Sequence, residues 1–294
     1  MDHRLLQSFL TLAQTLHFGR AASARHMSPS TLTRSIKQLE ATLGVTLFDR
    51  DNRSVTLTRE GDLFRRYARE ALALWTTLQD NLLDETRQLR GELTLYSSVT
   101  ASYSFLFDLL AQFRSQHPGI RLSLQTGDPE QAVALVQSGD AQISFGARPG
   151  ALHGSVAFQK IATTQLVCIA PKDAAPTRHD SWQHRAMILP KRGVARERIL
   201  QWFRRRNITP KISAQVAGNE AIVSMVSLGG GIGVIPRIVL DNSPLAQRVS
   251  VLAIGEDFGS LEVGLFALHK SLRNRIVDAL WSTSRALVSP VAPE

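Results

Sequence analysis

Residues 18–58 read FGRAASARHMSPSTLTRSIKQLEATLGVTLFDRDNRSVTLT, and this stretch decides the fold of the chain's first third. At its centre lies Ser28-Pro29-Ser30. Ser28 has the side-chain oxygen that caps a helix N-terminus, and Pro29 suits the first helical position because its missing N–H would have no partner there. The following helix turns Leu32, Ile36, Leu39 and Leu43 inward. Its outward face carries Ser30, Thr31, Thr33, Arg34, Lys37 and Gln38, the donors and flexible cations that read base edges and phosphates in a major groove. Upstream, Arg20–Arg25 reads as a short helix and Met27 as a core plug. Before that, Leu5, Phe9, Leu12, Ala13 and Leu16 share one helical stripe, which His17-Phe18-Gly19 ends. Downstream, two apolar strand-like pieces flank a polar turn, forming a β-hairpin wing with Arg50 and Arg53 at or near its tip. Two helices, a tight turn, a polar-faced third helix and a wing form a winged helix-turn-helix.

The composition is compatible with that reading. The chain has 294 residues, enough for two or three units, and a net charge of +9 that favours an acidic partner. Cys168 is the single cysteine, so neither a disulfide framework nor a CxxC metal site can form within the chain. The first twenty residues lack a continuous apolar core, and no stretch approaches a bilayer-spanning run. A cytoplasmic protein without membrane contact is expected.

Element by element, residues 18–58 and the helix that trails them resemble the LysR-type transcriptional regulators. The resemblance implies binding to double-stranded DNA at an interrupted palindromic operator. From Arg59 to about Leu89 there is no proline, and Phe64, Ala68, Ala71, Trp75, Leu78 and Leu82 repeat as a heptad seam that weakens at Glu85. So long a stripe needs a partner, either this chain's own C-terminal domain or a second chain. The resemblance implies the second, a homodimer that family habit extends to a homotetramer. The expected division is 1–58 for DNA binding, 59–90 for the linker helix and 91–294 for effector binding.

From Gly91 onward, strands alternate with helices, which argues for an α/β parallel sheet. Strands are expected at 92–99, 120–124 and 141–146. A helix is expected over about 102–116, and Asp128-Pro129-Glu130 starts another. A second unit repeats the style, with strands near 164–170, 186–190, 212–217, 232–235 and 249–254 and helices near 196–206 and 219–228. Residues 261–268 and a helix over about 272–287 return to the first unit. Two lobes result, about 91–162 with 266–294 and about 163–265, joined by crossover strands as in periplasmic binding proteins. Ligands in such folds sit at strand carboxyl ends near helix N-termini. Candidate effector residues are Ser98, Thr100, Ser102, Thr126, Arg148, Arg196 and Asn219. Helix capping explains some of the hydroxyls equally well, Arg148 could be a solvated surface cation, and Arg196 could belong to the basic run through Arg206. Gly229–Pro236 departs from a phosphate loop at its last position and in its strand–helix order, and reads as a helix cap entering a buried strand.

No HExxH, GxSxG, Walker A or metal-cluster motif appears, so neither an enzyme nor a resident cofactor or metal is expected. Cys168 lies in an apolar strand and reads as structural, a redox role having little support. A cytosolic solute-binding module remains the alternative of another class, disfavoured by the first ninety residues. The strings SVTASYSFL (98–106), FRSQHPG (113–119), LQTGD (124–128), WFRRRNIT (202–209), AGNEAIVSMVSLGGGIGVIP (217–236) and VLDNSP (239–244) narrow the resemblance. They are similar to the family's activators of the ketol-acid reductoisomerase gene in branched-chain amino acid biosynthesis. That implies 2-acetolactate or 2-aceto-2-hydroxybutyrate as inducer, with RNA polymerase at the promoter as a partner. Another small carboxylate as effector stays open.

Overall fold

The computed structural model describes residues 2–50, 54–82, 89–173, 182–254 and 257–287. Contacts divide the chain into two compact units, Met1–Arg87 and Gln88–Glu294.

The first unit begins with α1 (His3–Thr15), α2 (Phe18–Ala24) and α3 (Pro29–Leu43). Phe18 and Gly19 belong to α2 and do not terminate α1, because the His17 imidazole acts as N-cap and accepts from Arg20 N–H at 3.1 Å. Ser28 caps α3 as the sequence indicates, accepting from Thr31 N–H at 3.1 Å. Strands β1 (Phe48–Arg50) and β2 (Val55–Leu57) pair antiparallel as the wing. Then α4 runs over Arg59–Leu82. Phe9 is wholly buried, 5.2 Å from Phe48 and 4.8 Å edge-on from Phe64, so one aromatic ties α1, the wing and α4 together. Gly61 is obligatory in that packing: a Cβ there would lie 2.0 Å from the Leu47 carbonyl oxygen.

The second unit contains β3 (Gly91–Ser97), α5 (Val99–Tyr103), α6 (Phe105–Gln116), β4 (Ile120–Thr126), α7 (Ala132–Ser138) and β5 (Ile143–Ala147). It continues with β6 (Val156–Pro171), β7 (Ala186–Pro190), α8 (Val194–Arg205), β8 (Lys211–Val216), α9 (Asn219–Ser227) and β9 (Ile232–Pro236). Last come α10 (Arg237–Asp241), β10 (Val249–Val251), β11 (Ser260–Leu268) and α11 (Arg275–Leu287). The single helix expected over 102–116 is two. Ser104 breaks it, its backbone at φ −107°, ψ −92° and its hydroxyl donating back to the Thr100 carbonyl at 2.7 Å.

The strand order is β4-β3-β5-β11-β6-β9-β7-β8, with β10 on β6. Within it, β3 pairs parallel with β4 and β5, and β7 pairs parallel with β8 and β9. Each half therefore repeats one strand order around a central strand, β3 or β7. The long antiparallel strands β6 and β11 join the halves. The Gly229–Pro236 run enters fully buried β9 after α9, as its sequence suggests. No helix among the described residues is long and apolar enough to cross a membrane.

Candidate DNA interface and effector cleft

On α3 the core face and the polar face separate cleanly. Leu32, Ile36 and Leu39 are buried, while Ser30, Thr31, Arg34, Lys37 and Gln38 are exposed. Thr33 is half-buried and its hydroxyl donates to the Pro29 carbonyl at 2.8 Å, a bond spent within the helix. Arg50 is not a free wing-tip cation. Its guanidinium sits 2.6 Å from Glu40 Oε2 and 5.1 Å over the Phe18 ring. Glu40 Oε1 accepts from Leu47 N–H at 2.9 Å and Phe48 N–H at 3.2 Å. One carboxylate on α3 thus fixes the first strand of the wing, a tie invisible in sequence because Glu40 reads as one more polar helix residue. Arg53 lies outside the described residues.

The heptad seam on α4 splits into a buried part and an exposed part. Phe64 and Ala68 are buried in the core of their own unit, so they are not dimer-forming residues. Ala71 packs against the same core. Tyr67, Leu74, Trp75 and Leu78 remain exposed, Leu74 at 71%. Heptad spacing shows that a stripe needs cover, not which turns α1 already covers. The helix backbone reaches Leu82, whose side chain, like Glu85, lies outside what is described.

In the second unit a cavity of about 60 Å³ opens between the two halves. That is room for about four or five waters or a very small organic ligand. Its walls are Ala101, Phe105, Phe145, Leu261, Val263 and Val239, and its polar groups include Ser98, Thr100, Ser104, Thr164, Asn219 and Glu130. Of the expected effector residues, Ser98, Thr100 and Asn219 are there. Ser98 also caps α5, accepting from Ala101 N–H at 3.2 Å, so both readings of that hydroxyl hold. The other four do not line the cavity. Arg148 is exposed, pairs with Glu262 of β11 at 3.2 Å and lies 5.5 Å over the Phe158 ring of β6. Thr126 ends edge strand β4 and is exposed. Ser102 donates to the Val99 carbonyl at 2.6 Å. Arg196 straps α8 to the Pro190 carbonyl at 2.8 Å.

Two glutamates that sequence reasoning passed over as helix-start acids bridge the cleft. Glu220, in the first turn of α9, accepts from Thr100 Oγ1 at 2.5 Å and Thr100 N–H at 3.1 Å. Glu130, between β4 and α7, accepts from Val194 N–H at 3.3 Å. Beside it, Asp128 pairs with Arg192 at 3.2 Å. Burial pushes the Glu130 carboxyl up to about 7. The matched strings Asp128-Pro129-Glu130 and Gly218-Asn219-Glu220, each after the strand flanking a central strand, were the available signal.

Catalytic furniture is not gathered here. Among the described residues no three His, Cys, Asp or Glu side chains group as metal ligands. Cys168 is buried and its thiol is pushed up to about 12, so it carries no thiolate at neutral pH.

Comparison with known proteins agrees with this architecture. The model of bacterial regulatory helix-turn-helix proteins of the lysR family matches residues 3–62, and that of the LysR substrate binding domain matches residues 86–288. The HTH-type transcriptional activator IlvY of Salmonella typhimurium is 41% identical over 96% of this chain and 98% of its own length. The HTH-type transcriptional regulator IlvY of Escherichia coli K12 has the same identity and coverage. A full-length OxyR variant from Pseudomonas aeruginosa superposes with a TM-score of 0.73 at 22% identity, covering 97% of this chain and 95% of that one. CbnR in complex with its target DNA gives 0.67 at 23% identity, covering 98% and 100%. These two share the fold. The protein is a regulator and not an enzyme, its helix-turn-helix binds DNA, and its C-terminal unit takes a small-molecule effector. It belongs to the LysR family of transcriptional regulators.

Proposed function

We propose that this regulator activates the ketol-acid reductoisomerase gene of branched-chain amino acid biosynthesis, with 2-acetolactate or 2-aceto-2-hydroxybutyrate as inducer in the cleft between the lobes. The reading rests on the 41% identity to proteins named as the transcriptional activator IlvY and on the chemistry of the cavity. The carrying observation is the small, largely apolar chamber with hydroxyl and amide groups from Ser98, Thr100, Thr164 and Asn219 in its lining. An acetohydroxy acid offers a carboxylate, a hydroxyl and a ketone on a compact apolar frame. The extra methylene of 2-aceto-2-hydroxybutyrate adds about 0.8 kcal/mol when buried, so the site accepts both with little discrimination.

DNA is read by α3 through Arg34, Lys37, Ser30 and Thr31, with the wing alongside. The exposed α4 face pairs two chains so that two recognition helices meet two half-sites of an interrupted palindrome. A tetramer presents two such pairs, and RNA polymerase is the partner at the promoter.

Isothermal titration of the full chain tests the inducer. Selective heat with 2-acetolactate, and none with pyruvate or 2-oxoisovalerate, is the expected outcome. Binding of a different small carboxylate alone would leave the regulator in place and refute the inducer.

A further inference from the structure

The cavity needs to hold an anion, yet its lining contains no Lys or Arg among the described residues, and its one ionisable group is an acid, Glu130. A carboxylate entering there must use N–H and O–H donors. The prominent pair, the N–H and hydroxyl of Thr100, is already taken by Glu220 from the opposite lobe. Thr100 is only 2% exposed, so this is a desolvated contact and not a surface pairing.

The arrangement is reciprocal. Glu220 follows β8 and reaches across to Thr100, just after β3. Glu130 follows β4 and reaches across to Val194, just after β7. Because β3 and β7 are the central strands of the two halves, each lobe lodges a carboxylate on the first turn after the other's central strand. Gly193 is shaped for this. Its φ of +94° favours glycine, and a Cβ on it would lie 1.6 Å from the Glu130 carboxyl and push that side chain out of its present place.

We propose that Glu220 is an internal plug: its carboxylate holds the place of the effector's carboxylate on Thr100, and the effector acts by displacing it. The inference rests on the reading that a small carboxylate enters this cleft. Two carboxylates cannot share one pair of donors without strong mutual repulsion, so occupancy is exclusive. Displacement breaks the Glu220–Thr100 tie and leaves Glu130–Val194 and Asp128–Arg192 in place. The lobes then turn about the surviving contacts and do not separate. This gives the effector the differential affinity for two states that a switch requires.

Chemical rescue on the full-length protein tests the plug without relying on the effector's identity. Glu220→Ala is expected to lower the melting midpoint by several degrees. Sodium acetate, against sodium chloride of equal ionic strength, is expected to restore it by filling the vacated place. Wild type and the Thr100→Val/Glu220→Ala double variant should not respond. Titration with 2-acetolactate follows, and Glu220→Ala, or Glu220→Gln should alanine fail to fold, is expected to bind about tenfold tighter than wild type. No rescue by acetate overturns the plug, and so does unchanged or weaker 2-acetolactate binding by either variant when wild type binds. Acetate rescue with no 2-acetolactate binding by any form upholds the plug and refutes the proposed inducer instead.

Discussion

Glu40 holds Arg50 at 2.6 Å with one carboxylate oxygen, while the other accepts from the N–H groups of Leu47 and Phe48. The polar-faced helix α3 and the first strand of the wing are thereby tied to each other through one carboxylate. Glu40→Ala leaves buried donors without partners and is expected to cost about 1–3 kcal/mol of stability in urea unfolding. It should also weaken operator binding although Glu40 is an acid. A loss below about 0.5 kcal/mol would show the tie to be incidental.

Arg34 is exposed on the outward face of α3, where a bidentate base contact is possible. Arg34→Ala is expected to lose roughly 1–3 kcal/mol on operator DNA and much less on random DNA. Equal losses in a competition assay would make it a phosphate contact.

The exposed and the buried apolar residues of α4 are expected to give opposite phenotypes. Leu74→Glu, at a side chain 71% exposed, is expected to dissociate the dimer and leave the fold intact. Phe64→Ala, in the core against Phe9, is expected to destabilise the first unit by about 3–5 kcal/mol. Sedimentation velocity beside thermal melting separates the two. An unchanged sedimentation profile for Leu74→Glu would place the dimer contact elsewhere.

Burial, reinforced by Asp128 and Glu197, pushes Glu130 from an ordinary 4.5 up to about 7, against the lowering effects of Val194 N–H and Arg192. The folded state therefore binds this proton more tightly than the unfolded chain. The resulting stability is fully present below the unfolded value and is lost as pH rises through about 7. At most it amounts to about 3 kcal/mol. Glu130→Gln should flatten the fall in stability across that window. Parallel wild-type and variant curves would mean Glu130 keeps an ordinary carboxyl.

What the sequence revealed follows the range of the interactions involved. The α3 cap at Ser28 and Pro29, the wing and the alternating strands are written locally, and all are found. Arg148 lies on the surface, one of the two readings open to it, but its pairing with Glu262, 114 positions away, was not legible locally. Thr100 was legible as a hydroxyl at a strand end, but its occupant Glu220 lies 120 positions on, in the other lobe. Phe64 and Ala68 obeyed the heptad yet are buried in the core of their own unit, with Phe9 of α1 against Phe64, a matter of where the small domain ends along the helix. Periodicity reports which face is apolar, and only tertiary packing reports what covers it.

An acetohydroxy acid in the cleft is expected to change how the protein holds its promoter. Nuclease footprinting and bend-angle measurement on the ketol-acid reductoisomerase promoter, with and without 2-acetolactate, test it most directly. The protein is expected to stay bound while the footprint's extent and the bend angle change, with Thr100→Val abolishing the response. An identical footprint and bend at saturating 2-acetolactate would contradict it.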